Sequence, residues 1–330
     1  MRGSRIAGLG SFLPERVVTN HDLSQWMETS DEWIQQRTGI RERRWVQGDV
    51  GASDLALPAS QDALTEAGLE ASDLDMIIFA TLSPDIGFPG SSCLLQAKLG
   101  VPGIATLDIR NQCTGFVYAL SVADQFIRSG AMKHILVVGA EVHSTGLDIS
   151  TRGRDVTVIF GDGAGAAVVS ATDGDARVLD SALHADGSQA EILMLGAPAS
   201  GRNPRLSHEM LDAGLHYPSM KGSAVFKQAV RHFPAVIREV MERNAMSVDD
   251  IGMLIPHQAN LRISEMVGKS LGIGPDRMHN TIQWTGNTTA ASIPIALHEA
   301  VKAGRIQSGD HVVLAAFGAG LTWGANLIRW

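Results

Sequence analysis

Short apolar runs set the rhythm of the chain. Asp75-Met76-Ile77-Ile78-Phe79-Ala80-Thr81, Ile104-Ala105-Thr106-Leu107-Asp108-Ile109 and His134-Ile135-Leu136-Val137-Val138-Gly139-Ala140 are near-continuously apolar. Such runs mark strands in a sheet covered on both faces. Between them, helical periodicity runs over Ser53–Ala67, Ser91–Leu99 and Gly115–Ser129. Upstream, Arg5–Leu13 reads as a strand and turn. Asn20-His21-Asp22 and Thr29-Ser30-Asp31 read as helix starts. Val156-Thr157-Val158-Ile159-Phe160 predicts a strand that leads through Gly161-Asp162-Gly163 into a second strand, Ala164–Ser170.

The second half repeats the plan. A helix over Phe226–Arg243 precedes Asp249–Pro256, which matches the Asp73–Phe79 segment in type and position. A helix over Asn260–Leu271 follows. His311–Gly318 then echoes His134–Gly139, and Trp323–Ile328 echoes Ala164–Val169. Two halves in one order predict a duplication with a boundary near 172–180, dividing the chain into 1–175 and 176–330. Alternating strands and helices predict an α/β class with parallel sheets. Gly196–Gly222, rich in Pro, Gly, Ser and charge, reads as a long loop.

Composition narrows the function classes. The 330 residues are 45% hydrophobic and 19% charged, enough for a large core. With no 18-residue apolar run there is no membrane span, and the N-terminus lacks the apolar core of a signal peptide. Cys93 and Cys113 are too few for a disulfide framework or a Cys-rich zinc site, and they fit a reducing cytoplasm. A net charge of -8 argues against general nucleic-acid binding.

Cys113 falls where the Ile104–Ile109 run stops and the Gly115 helix begins. Unpaired N–H groups and the helix dipole favour thiolate there. Gly115 lets backbone or substrate approach the sulfur. A lone cysteine is more often structural, as Cys93 inside its helical run reads. Two further residues make Cys113 a candidate nucleophile. His257 in Pro256-His257-Gln258-Ala259-Asn260 ends a strand abruptly, and Asn287 opens a polar turn, Gly286-Asn287-Thr288-Thr289. Singly, they read as a structural histidine and a helix cap. Together with Cys113 they are a nucleophile and two donors for an oxyanion, all at strand ends where α/β sheets bind ligands.

The order Cys, His, Asn also occurs in papain-like proteases. Against that reading, the local sequence is Asn111-Gln112-Cys113-Thr114-Gly115, and the cysteine lies a third of the way along the chain. The glycines at 161, 163 and 165 superficially suggest a dinucleotide loop. A β-branched run follows them where the fingerprint needs a helix, so that cofactor is rejected. Trp33, Arg37, Arg41, Arg43, Arg44 and Trp45 offer either a solvated turn or a platform for a ring and phosphates.

Six motifs in order carry a family resemblance: Thr29-Ser30-Asp31-Glu32-Trp33-Ile34 with Arg37-Thr38-Gly39-Ile40; Gln112-Cys113-Thr114-Gly115-Phe116; Phe160-Gly161-Asp162-Gly163-Ala164-Gly165; Pro256-His257-Gln258-Ala259-Asn260-Leu261-Arg262; Gly286-Asn287-Thr288-Thr289-Ala290-Ala291-Ser292; and Phe317-Gly318-Ala319-Gly320-Leu321-Thr322-Trp323-Gly324. Over essentially its whole length the chain resembles the β-ketoacyl-acyl carrier protein synthase III family of the thiolase-like superfamily. The resemblance implies a five-layer αβαβα fold of two duplicated halves and a homodimer. No metal or redox cofactor is implied, with a coenzyme A thioester as substrate. Acyl-coenzyme A would load Cys113, and malonyl-acyl carrier protein would then decarboxylate and attack, initiating fatty acid synthesis. His257 and Asn287 match the decarboxylation pair, and the N–H groups of Cys113 and Ala319 match the oxyanion hole. Trp33 and Arg37 match the adenine site of coenzyme A, Asn260 lies by the pantetheine tunnel, and Phe226 belongs with these substrate contacts. Either Arg152 or Arg154 matches an arginine at the mouth. Phe88 matches a residue that closes the partner's acyl pocket.

Ala319 stands where many members have glycine, and a positive φ there would be strained. Gln112 replaces a smaller residue, and the 196–222 loop looks long for the family. Lys227, Arg262 and Lys269 are candidates for a basic patch that docks the acidic carrier protein. Two rival readings are a condensing enzyme or acyltransferase of a specialised pathway, and a catalytically silent binding protein. The intact nucleophile opposes the second.

Overall fold

A computed structural model describes residues 3–330; Met1 and Arg2, at the start of the expected 1–175 half, lie outside the described residues. Two mixed sheets stand back to back. The first runs in the order Gly3–Phe12, Gly163–Thr172, His134–Glu141, Met76–Ala80, Ala105–Ile109. The second runs Met253–Pro256, His311–Gly318, Thr322–Arg329, Arg177–Ala185. The first sheet has two parallel and two antiparallel pairings, Met76–Ala80 running parallel to both His134–Glu141 and Ala105–Ile109; the second has one parallel pairing at its edge, Met253–Pro256 with His311–Gly318, and two antiparallel ones. The sheets are therefore not purely parallel, contrary to the sequence expectation. Gly318 to Thr322 is too short a connection for the crossover a parallel pair requires.

Helices make the remaining three layers. Gly115–Arg128 and Ser292–Lys302 lie between the sheets, and Phe116, Leu120, Ile293 and Leu297 join strand residues of both sheets in one buried core. Ala52–Ala67 and Ser91–Leu99 cover the outer face of the first sheet. Gly222–Glu242 and Leu261–Leu271 cover the second. The architecture is the five-layer αβαβα fold.

Two segments depart from the sequence reading. The expected strand at Val156–Phe160 is a short helix, Arg154–Thr157, followed by a single bridge from Phe160 to Asn287. Val156, Val158, Ile159 and Phe160 all bury into one cluster with Ile34 and Trp45, so no polar face remains to demand a strand. The 196–222 stretch is not a bare loop. Strands Leu193–Leu195 and Pro218–Met220 pair as a hairpin, with the helix His208–Asp212 in its connection.

Candidate active site

Cys113 sits in a single 3-10 turn, Gln112–Thr114, between the edge strand Ala105–Ile109 and the helix from Gly115. Gln112 holds a left-handed backbone, φ 44°, which turns the chain and delivers the sulfur to the centre of the molecule. The thiol is buried. Burial, and then the nearby charge of Glu141, push its pKa up to about 12, although the N–H groups of Ala319 and Cys113 itself point at Sγ and pull the other way. The thiolate expected from the helix mouth is thus not the resting form. Desolvation outweighs the helix end.

Gly115 also has a different task from the one expected. Its Cα packs on Ala80 and Ala290, where a Cβ would stand 2.9 Å from the Ala80 methyl. Gly318 is the residue that makes room for the sulfur. A Cβ there would lie 2.8 Å from Cys113 Sγ and closer still to Cys113 Cβ. Next to it, Ala319 is not among the residues with positive φ; Gly320 takes that role at 137°. The Ala319 N–H therefore faces the sulfur without the strain that an alanine raised in the sequence.

His257 follows the strand Met253–Pro256, and its N–H donates to Ala315 O at 2.7 Å. Burial holds the imidazole neutral, with a pKa of about 3. Nδ1 lies 2.6 Å from Ser292 Oγ, and this hydroxyl already accepts the Gln258 N–H. Donating its proton to Nδ1 leaves the imidazole hydrogen on Nε2, which is buried without a protein partner. Asn287 is fixed by backbone bonds to Ile159 O and from the Gly161 N–H. The Thr289 N–H donates to its Oδ1 at 2.8 Å, which turns the amide NH2 outward as the free donor. Thr289 holds φ 47° to do so.

Cys113, His257 and Asn287 line one cavity of about 490 Å³, together with Trp33, Arg37, Phe226 and Asn260. Arg37 and Arg154 each place a guanidinium 4.5 Å from the Trp33 ring centroid. Arg152 is spent elsewhere, paired with Asp148 and near the Tyr217 ring, so the structure joins Arg154 to Trp33. The Asn260 amide is engaged within the protein. It caps the helix Leu261–Leu271 through the Arg262 N–H and donates to Arg37 O. Arg262 lies over the Phe226 ring at the rim, 5.9 Å away, beside exposed Lys227. Lys269 shares the face of Arg262 but lies two turns, about 10 Å, along the helix.

Beyond Cys113 a second cavity of about 650 Å³ opens; Cys113, Phe160 and Leu193 line both. Phe88 is 88% exposed and stays out of its own chain's cavity. Cys93 is exposed, with Sγ 3.4 Å from Thr106 Oγ1. Glu141 went unflagged in the sequence. Buried at the end of its strand, it accepts from Thr81 Oγ1 and the Leu82 and Ser83 N–H groups, and burial raises its pKa to about 7. The acid that closes the apolar run Ile135–Ala140 was the available signal.

Residues 107–187 match the model of 3-oxoacyl-[acyl-carrier-protein] synthase III, and residues 241–330 match that of its C-terminal part. The chain is 46% identical over 325 residues to a β-ketoacyl-[acyl-carrier-protein] synthase III of Caldanaerobacter subterraneus, covering 98% of this chain and 97% of that one. A Xanthomonas campestris synthase of the same description is 47% identical over 330 residues, covering 99% and 98%. The crystal structure of the 3-oxoacyl-[acyl-carrier-protein] synthase III from Aquifex aeolicus superposes with a TM-score of 0.91 at 43% identity, covering 99% of this chain and all of that one. Likeness of this extent along the whole length decides the matter: the chain belongs to the 3-oxoacyl-[acyl-carrier-protein] synthase III family and is a condensing acyltransferase of that type, acting at the start of fatty acid synthesis.

Proposed function

We propose that Cys113 carries the acyl group between two half-reactions. In the first, Sγ attacks the carbonyl carbon of an acyl-coenzyme A, and the N–H groups of Cys113 and Ala319 hold the tetrahedral oxyanion. The coenzyme A sulfur then leaves with the proton lost by the thiol. In the second, the bond to the carboxylate of malonyl-acyl carrier protein breaks and carbon dioxide departs. The electron pair forms an enolate held by His257 Nε2–H and the Asn287 amide. Its carbon attacks the Cys113 thioester, and the sulfur leaves as thiolate and takes up a proton. The observation that carries this reading is the convergence on Sγ of two backbone N–H groups, at the point where two cavities meet.

Trp33 with Arg37 and Arg154 takes the adenine end of coenzyme A, and Phe226 and Asn260 border the tunnel between. Lys227, Arg262 and Lys269 dock the carrier protein. Residues 1–175 supply the nucleophile and 176–330 the enolate donors. The protein works as a cytoplasmic homodimer, paired through the face that carries the exposed edge strand Ala105–Ile109 and Phe88, with the partner's Phe88 closing the acyl cavity. Protein donors alone run this chemistry.

His257→Ala and Asn287→Ala test the assignment. Each loses malonyl decarboxylation by about 10²–10³-fold, the worth of one oxyanion donor. Mass spectrometry still finds Cys113 acylated by acyl-coenzyme A. Equal loss of both steps in folded variants overturns the division of roles.

A further inference from the structure

The walls of the 650 Å³ cavity beyond Cys113 are mostly apolar, among them Leu82, Val142, Leu147 and Leu195. In the single chain an acetyl group would fill about a tenth of it, since a water-sized group occupies roughly 30 Å³, and the partner's Phe88 proposed above takes up part of the remainder. Polar side chains interrupt the apolar lining, among them buried His143 and Thr289 and half-buried His216. His143 follows the strand His134–Glu141, is more than nine-tenths buried, and packs tilted against Phe160 with ring centroids 4.6 Å apart. Its Nε2 lies 2.8 Å from Thr289 Oγ1, while Nδ1 makes no hydrogen bond to the described residues and stays open to the cavity. The reaction derived above makes no use of this ring.

An imidazole buried in an apolar wall loses its hydration, and a hydrocarbon occupant returns nothing to Nδ1. Burial holds the ring neutral, with a pKa of about 3, so it recognises a neutral dipole and not an anion. Its tautomer follows the Thr289 hydroxyl. If that hydroxyl donates to Nε2, Nδ1 carries the hydrogen and donates; if it accepts, Nδ1 accepts. A hydroxyl is donor and acceptor at once, so it satisfies Nδ1 in either case.

We propose that the acyl group selected by this cavity is a hydroxyacyl chain of medium length, its hydroxyl held by His143 Nδ1. The proposal rests on the reading of Cys113 as the acylated nucleophile.

Competition for Cys113 among acetyl-coenzyme A, octanoyl-coenzyme A and a set of hydroxyoctanoyl-coenzyme A positional isomers, read by mass spectrometry, tests it. One hydroxy isomer should acylate about 10- to 100-fold faster than octanoyl, as one hydrogen bond to a buried neutral group allows. In His143→Leu that ratio should collapse to about one. Acetyl or octanoyl outrunning every hydroxy isomer overturns the proposal, and this comparison stands alone if His143→Leu does not fold. A ratio that survives in folded His143→Leu also overturns it and moves attention to His216 Nδ1, a buried nitrogen in that wall without a hydrogen-bond partner among the described residues. Failure of every thioester to label Cys113 is a different result: it removes the nucleophile assignment and the proposal with it.

Discussion

The two cavities that meet at Cys113 are built from different parts of the fold. On the entrance side, the polar atoms sit at strand ends and at the start of helices. His257 hangs on Met253–Pro256, Asn287 is bolted to Ile159 and Gly161, and Asn260 caps its helix. On the far side the walls come from loops and from the hairpin at 193–220. Groups that must hold an oxyanion within a few tenths of an ångström need a rigid frame. Groups that sort acyl chains by shape and by single hydrogen bonds can sit on exchangeable loops. On the roles proposed above, the difference teaches that reaction and selection can vary independently, with Cys113 at their common border and Gly318 packed against it.

The harshest test strikes that border. Gly318→Ala drives a methyl into Cys113 and should lower acylation by at least about 100-fold, with a loss of stability of about 1–3 kcal/mol. Single-turnover labelling and denaturant unfolding measure the two effects. A fully active Gly318→Ala would show that the sulfur has room to move between the cavities.

Next in size is the response of the sulfur to pH. With a pKa near 12, the thiolate fraction grows about tenfold per pH unit at lower pH. Iodoacetamide labelling of Cys113 in a Cys93→Ser protein should therefore rise about tenfold per unit from pH 7 to 9, without a plateau. A plateau in that range would mean that the helix mouth, and not burial, governs the thiol.

A smaller effect belongs to the entrance alone. Trp33→Ala and Arg154→Ala should raise the KM for acyl-coenzyme A by about fivefold, the worth of an exposed cation–π contact. The KM for acyl-pantetheine, which lacks the adenine end, should stay the same, as should the order of preference among acyl chains. A changed preference would break the separation of the two cavities. Arg152→Ala is the control for the arginine assignment.

The smallest shift is at the rim. Charge reversal at Arg262 and Lys269 should raise the KM for malonyl-acyl carrier protein a few-fold at low salt and leave acyl-coenzyme A unaffected. No change with the carrier protein would detach the basic patch from docking.

The strands and helices were legible because a doubly covered sheet requires continuous apolar runs, and Met76–Ala80 and His134–Glu141 show them. Cys113, His257 and Asn287 were legible because polar residues break those runs at strand ends. The short helix at 154–157 was not, since a turn buried on all sides has the composition of a buried strand. Arg152 and Arg154 could not be separated by spacing. Asp148 draws one away, and the fold of the short helix points the other at Trp33. His143 and Thr289 lie 146 residues apart, and their contact arises only when the Ser292 helix slides between the two sheets.

Leu193, at the start of the hairpin, lines both of the cavities that meet at Cys113. A loaded thioester has to wait for a carrier protein that arrives at its own pace, and every water that reaches the carbonyl during the wait ends the cycle unproductively. If Cys113 carries the acyl group as proposed, a hairpin wall that keeps water from the thioester lengthens the life of the intermediate. The lowest carrier-protein concentration at which chains are built instead of acyl groups wasted would then depend on how well that wall excludes water.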